Sequence, residues 1–166
     1  MTEASFVPDA ANARALRDAL GRFATGVTVV TIATAGDPMG ITANSFASVS
    51  LDPPLVLWSP AKSSSRFAYF AEAPFFAIHI LPADQAELSA RFARGGLGFD
   101  GLNITLNEAG VPLLPGTLAR FECAHHAAHE GGDHRIVVGR VYRVTTGEGE
   151  PLLFNCGGFG RFSPGL

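Results

Sequence analysis

Apolar residues at Leu16, Leu20 and Phe23 recur at spacings of four and three, while Arg14, Arg17 and Asp18 fall elsewhere. This pattern predicts an amphipathic helix from Ala11, closed by Gly21 and Gly26. Val27–Ile32 is β-branched at every position and predicts a strand. Ala35-Gly36-Asp37-Pro38 then turns the chain back into Met39–Ala43. Asp52-Pro53-Pro54 is a corner, because each proline holds its predecessor extended, and Leu55–Trp58 follows as a short buried strand.

Ser63–Ala73 reads as a helix with Ser63 or Ser64 as its N-cap and Phe67, Phe70 and Ala71 facing inward. Phe75–Leu81 is a strand. Pro82–Arg94 is a second clear helix, with Leu88, Phe92 and Ala93 on its core face. Beyond the glycine-rich Gly95–Gly101 only strands and turns remain: Leu118–His125, Arg135–Val144 and Leu152–Asn155, with Gly131-Gly132 marking a hairpin. Strands dominate and no regular βαβ alternation occurs. The expected class is mainly β with peripheral α-helices, an antiparallel barrel rather than a doubly wound sheet.

The 166 residues suit one domain, read as a loose tail over 1–12 and a folded unit over 13–166. Only 16% of residues are charged, against an average of about 25%, which leaves a surface poor in charged cover. A subunit interface is expected to hide part of it. A net charge of −3 argues against a nucleic-acid partner. No apolar run approaches membrane-span length, and the first residues carry Glu3 and Asp9 without a signal-peptide pattern, so a cytoplasmic protein is expected. Cys123 and Cys156 are expected to be reduced, partly buried thiols.

No dinucleotide fingerprint, Walker loop or nucleophile turn is present; Gly157-Gly158-Phe159-Gly160 has the wrong spacing for the first. Cys123, His125, His126, His129 and His134 crowd into a dozen residues, but their order matches no usual zinc spacing and no metal is expected. Three segments carry the polar chemistry. Thr42–Ser50 sets hydroxyls and the Asn44 amide among strand formers. It reads either as a polar-faced edge strand or as a hydrogen-bonding cradle for the pyrimidine edge of a flavin. Lys62–Arg66 stands where a helix should begin, a seat for a phosphate or simply a set of serine caps. Gly132-Asp133-His134 reads as hairpin chemistry, with a functional role for the histidine left open.

Taken in order, Arg22-Phe23-Ala24-Thr25-Gly26-Val27-Thr28-Val29-Val30-Thr31, Gly40–Phe46, Ser48–Leu55 and Gly132-Asp133-His134 resemble the short-chain flavin reductase family over Leu20 to about Phe162. Its members serve as reductase components of two-component flavin monooxygenases. The resemblance implies an FMN-binding split barrel, a homodimer, and FMN or FAD bound near the interface, with NADH or NADPH as hydride donor. Thr42, Ala43, Asn44 and Ser45 would line the isoalloxazine and ribityl chain, with Ser48, Val49 and Ser50 nearby. Ser59, Pro60, Ala61, Lys62, Ser63 and Ser64 would hold the ring edge and phosphate, and His134 would help position the nicotinamide. Reduced flavin would then pass to a separate oxygenase. Two other readings stay open: a non-catalytic FMN carrier, and a split-barrel reductase passing electrons to a metal chelate or corrinoid. The tyrosine and arginine that often follow a Pro-Leu pair in the family are replaced here by Phe154–Phe159.

Overall fold

Thr28–Ile32 forms a strand in which every residue is buried, because both of its faces are covered. Successive side chains leave a strand on opposite sides. Val30 and Ile32 join one core with Val56, Trp58, Phe70, Phe76, Ile78, Cys123 and Val137. Val29 joins another with Leu81, Leu88, Phe92, Leu114 and Leu152. The first fills the barrel interior; the second seats a helix on the outside of the sheet.

In the computed structural model, Glu3 and residues 5–165 are described. Met1, Thr2 and Ala4 of the expected tail, and Leu166, lie outside the described residues. The elements are α1 (Ala13–Leu20), β1 (Thr25–Gly26), β2 (Thr28–Ile32), β3 (Met39–Ala43), β4 (Ala47–Leu51) and β5 (Pro54–Trp58). Then come α2 (Phe67–Ala71), β6 (Phe75–Ile80), α3 (Ala86–Arg94), β7 (Thr105–Leu106) and β8 (Pro112–Leu113). The chain ends in β9 (Ala119–Gly131), β10 (His134–Thr146), β11 (Leu152–Asn155) and β12 (Gly158–Arg161). Seven strands form an antiparallel sheet in the order β3-β2-β6-β9-β10-β5-β4, with β1-β11-β12 as a smaller sheet beside it. This is the mainly β architecture with peripheral helices that the pattern predicts, and the split barrel that the resemblance implies.

Several boundaries differ from the sequence expectation, each for a local reason. The helix expected over Ser63–Ala73 is only Phe67–Ala71, and neither Ser63 nor Ser64 caps it. Ser64 instead closes a turn: its Oγ accepts from Arg66 N–H, and its carbonyl accepts from Phe67 N–H. The helix expected from Pro82 opens as a 3₁₀ turn over Ala83–Gln85 and becomes α-helical at Ala86. The hairpin strands run to Gly131 and restart at His134, longer than expected, so His126 and His129 are strand residues. At the N-terminus the expected helix is a 3₁₀ turn followed by α1, and Asp9 accepts from the N–H groups of Ala11 and Asn12. No residue of α1 is buried: Leu16, Leu20 and, just beyond, Phe23 are all exposed. The predicted apolar face is present, yet the described residues of this chain leave it exposed. Of the two thiols, Cys123 is buried and desolvation pushes it up to about 12, whereas Cys156 is exposed rather than partly buried.

Gly40 explains how α3 lies so close to the sheet. A Cβ there would meet the Phe92 ring at 2.5 Å, so β3 can pass the ring only at a glycine. Arg66 locks the same junction by donating to the carbonyls of Gly40 (2.9 Å) and Phe92 (2.8 Å).

His79 on β6 is fully buried between β2 and the segment before β9. Its Nδ1 lies 3.0 Å from the Val29 carbonyl, and its Nε2 accepts from Leu114 N–H at 3.1 Å. An acceptor on one side and a donor on the other require the neutral ring with its proton on Nδ1. Desolvation is the main cause holding its pKa down to about 3, from an ordinary 6.5. The unfolded chain therefore binds a proton below about 6.5 that the folded ring refuses. Stability is full above that pH and declines as pH falls toward about 3. Urea denaturation from pH 7.5 to 5 is expected to show this decline. His79→Gln should be less stable at pH 7.5 by about 1–3 kcal/mol and flatter across the window. A wild-type curve flat from pH 6.5 to 5 would remove the assignment.

Candidate functional site

A cavity of about 250 Å³ opens where β3 ends, walled by Val27, Thr42, Ala43 and Asn44 on the sheet side. Ser89, Ala90 and Ala93 of α3 form a second wall, and Phe154 and Phe159 a third. The two phenylalanines face each other across the β11–β12 hairpin, ring centroids 5.7 Å apart. Mostly apolar walls with a few hydroxyls and one amide suit a flat ring carrying polar groups on its edge. The Thr42 hydroxyl is already committed, donating to the Ser89 carbonyl at 2.6 Å. Asn44, by contrast, is exposed and its side chain bonds to nothing among the described residues, so it is free to pair with a bound ring.

From Asn44 the chain leads directly into a second polar surface. Ser59 N–H donates to Ser45 Oγ at 2.9 Å, and Ser45 Oγ donates back to the Ser59 carbonyl at 3.3 Å. Two further bonds bring the β9–β10 turn against the following residues: Lys62 N–H to the Asp133 carbonyl (2.9 Å) and Arg135 N–H to the Pro60 carbonyl (3.1 Å). Ala61 and His134 pair between them as an isolated antiparallel bridge. Gly132 makes the turn possible with a φ of +73°. Asn44, Ser45, Ser59–Lys62 and His134, scattered over ninety positions of chain, are thus joined into one surface.

His134 is half-exposed, and its Nδ1 lies 2.7 Å from Asp133 Oδ1. A carboxylate only accepts, so Nδ1 carries the proton, and Nε2 has no hydrogen-bond partner among the described residues. The same hydrogen bond holds the Asp133 carboxyl below the usual carboxylate range. Lys62 pairs with Glu130, whose carboxyl is lowered by that contact.

The remaining sequence candidates sit differently. Ser48, Val49 and Ser50 belong to β4, an edge strand of the sheet, with Ser48 and Val49 exposed. The first half of the Thr42–Ser50 run therefore lines the cavity, and the second half is an edge strand, though with Val49 and Leu51 exposed it is not the polar-out, apolar-in strand of the alternative reading. Ser63 is exposed and Ser64 is part of the turn, as described above. The expected anion seat at a helix start has no such basis: α2 has only five residues and begins after Arg66, which is spent on backbone carbonyls. Any anion held here relies on Lys62 and hydroxyls.

Sequence reasoning missed Ser89, Phe154 and Phe159. The signal was present in Cys156-Gly157, which turns between two short strands with φ values of +47° and +83°. Read as a two-residue hairpin rather than as a failed nucleotide fingerprint, it sets Phe154 opposite Phe159.

Residues 20–163 match the model of the flavin reductase like domain family. The chain is 63% identical over 158 residues to the FMN reductase (NADH) SmoA of Agrobacterium fabrum, covering 95% of this chain and 91% of that protein. It is 38% identical to the reductase subunit HsaB of a flavin-dependent monooxygenase from Rhodococcus jostii, covering 94% of this chain and 81% of that one. Among solved structures, the NADH:FAD oxidoreductase SgcE6 of Streptomyces globisporus superposes with a TM-score of 0.90 at 40% identity, covering 100% of this chain and 96% of that one.

Ser45→Ala removes the acceptor for Ser59 N–H and loosens the junction between the two surfaces. A loss of about 0.5–1.5 kcal/mol in urea denaturation is expected. An unchanged midpoint would show that the Ser45–Ser59 pair contributes nothing.

Proposed function

The chain belongs to the flavin reductase like family, and on that premise we propose that it is an NAD(P)H:flavin oxidoreductase, moving a hydride from nicotinamide to FMN or FAD. One observation carries the reading for this chain: the cavity at Thr42–Asn44 continues along the chain into the Ser59–Lys62 and His134 surface. The segments to which the resemblance gives ring, phosphate and nicotinamide roles are linked by the Ser45–Ser59 hydrogen bonds and the Ala61–His134 bridge, which supports the reading.

The donor set fits a flavin. Asn44 offers an uncommitted amide at the polar rim, the apolar walls accept a ring, and Lys62 supplies a cation for a phosphate. A flavin held here supplies the hydride-accepting ring, and the reduced nicotinamide supplies the hydride. The chain's residues then bind, orient and exclude water. Orientation is the larger lever, worth ~7–11 kcal/mol for well-held reactants. Rigidity follows from pairing: Ser45 on Ser59, Lys62 N–H on Asp133, and Thr42 on Ser89 leave little freedom in the walls. His134, with Nδ1 tied to Asp133, presents Nε2 in a fixed direction and acts as a positioning residue. No proton acceptor is needed for hydride transfer itself.

Reduced flavin is passed to a separate monooxygenase component. The relative named as an HsaB reductase subunit supports this, as does a structural neighbour, BorF, the flavin reductase component of a two-component tryptophan halogenase. The protein works as a homodimer in the cytoplasm. In support of the dimer, Leu16, Leu20, Phe23, Val49 and Leu51 stand exposed on one chain. No helix among the described residues is long and apolar enough to cross a membrane.

NADH oxidation by purified protein with free FMN tests the reading; a carrier without turnover, or electrons accepted only by a metal chelate or corrinoid, would overturn it. In stopped-flow reduction, His134→Ala should slow hydride transfer on the order of 10- to 100-fold while flavin affinity stays near wild type. Unchanged kinetics would remove His134 from the site. Glu130→Gln releases Lys62 and should tighten FMN, measured by fluorescence titration, ~2- to 5-fold without affecting riboflavin. Equal changes for both flavins would exclude Lys62 as the phosphate partner.

A further inference from the structure

A second cavity, about 410 Å³ and larger than the first, lies between the end of α1 and the β11–β12 turn. Phe154 lines both cavities, so the two adjoin at that residue. Arg17 and Arg22 line the second cavity, with Asp18 as its only carboxylate. Neither arginine has a carboxylate within 4.0 Å among the described residues, whereas Arg135, Arg143 and Arg161 are each paired with a glutamate.

The end of a helix normally repels an anion, because its last carbonyls carry partial negative charge. Here the Arg17, Ala19 and Leu20 carbonyls accept from the N–H groups of Gly21, Arg22 and Phe23, and the carbonyls just beyond the helix are occupied as well. Gly21 O accepts from Cys156 N–H (2.9 Å) and from the Asn155 amide (3.3 Å), and Arg22 O accepts from the same amide (3.1 Å). The floor at Gly157 carries no side chain, and a Cβ there would meet nothing within 4 Å. What remains is open space beside two uncompensated guanidinium groups, whose planar donor forks match phosphate oxygens.

We propose that this cavity seats the phosphate-bearing arm of a nucleotide that reaches, past Phe154, the flavin-binding cavity at Thr42–Asn44. The proposal rests on the reductase reading. Such an arm has two sources, the diphosphate of NADH or the adenylate half of FAD, and both are tested together.

The Arg17→Ala/Arg22→Ala variant is compared with wild type using NADH and a phosphate-free donor, 1-benzyl-1,4-dihydronicotinamide, each with FMN and with FAD. Both side chains are exposed, so folding should survive; thermal melting checks this, and the two single variants provide a milder series. If the arm belongs to NADH, the ratio of kcat/KM for NADH to that for the phosphate-free donor falls ~10- to 100-fold, through KM rather than kcat. If it belongs to FAD, the KM ratio of FAD to FMN rises instead, while the donor ratio holds. Arg17→Lys/Arg22→Lys should recover part of either loss. Constant donor and flavin ratios in an active double variant would overturn the proposal. A wild-type protein inactive with both donors would overturn the reductase reading beneath it.

Discussion

Two backbone hydrogen bonds, Lys62 N–H to Asp133 O and Arg135 N–H to Pro60 O, bind the exit of β5 to the start of β10. Without them the polar residues of this chain would be three unrelated loops. The pairing works because β10 already lies beside β5 in register, with Val137 opposite Trp58. Extending that register past the end of β5 brings Ala61 to His134. The site is therefore an overhang of the sheet: strand pairing continues beyond the regular strand and carries functional side chains with it.

The sheet can serve as a fixed base because its central strands are covered on both faces. β2 contributes alternately to the barrel interior and to the α3 interface, and His79 ties it to the chain before β9 through two backbone partners. Arg66 and Gly40 then hold α3 against β3. These contacts explain why the cavity wall is helical on one side and extended on the other. They also explain why Thr42 is spent on structure: its hydroxyl fastens β3 to the Ser89 carbonyl, leaving Asn44 as the group that faces outward.

Charge is used sparingly. Burial keeps His79 neutral and Cys123 protonated, so neither brings charge into the core. The ion pair of Lys62 with Glu130 and the hydrogen bond of His134 to Asp133 are both solvent-facing, and exposed contacts of this kind are weak. Weak contacts can exchange partners, which suits the anionic ligand proposed for this surface.

How much of this was legible beforehand depended on whether the cause was local. β-Branching marked β2, the Gly-Gly-Asp turn marked the hairpin, and the spacing of Leu88 and Phe92 marked α3, because each reflects the conformational preference of a short segment. Shared motifs likewise tied Asn44, Ser45, Lys62 and His134 to one chemistry. The truncation of α2, the capture of Arg66 by carbonyls, and the exposure of the α1 face had no local signature. Each is set by what lies opposite in space. So it is with Phe154 and Phe159, which line the cavity only because a two-residue turn folds them back onto β3 and α3. Propensity and motif are properties of neighbours along the chain and can be read there. Which donors are free and which walls meet are settled by contacts between distant residues, and only the folded sheet decides them.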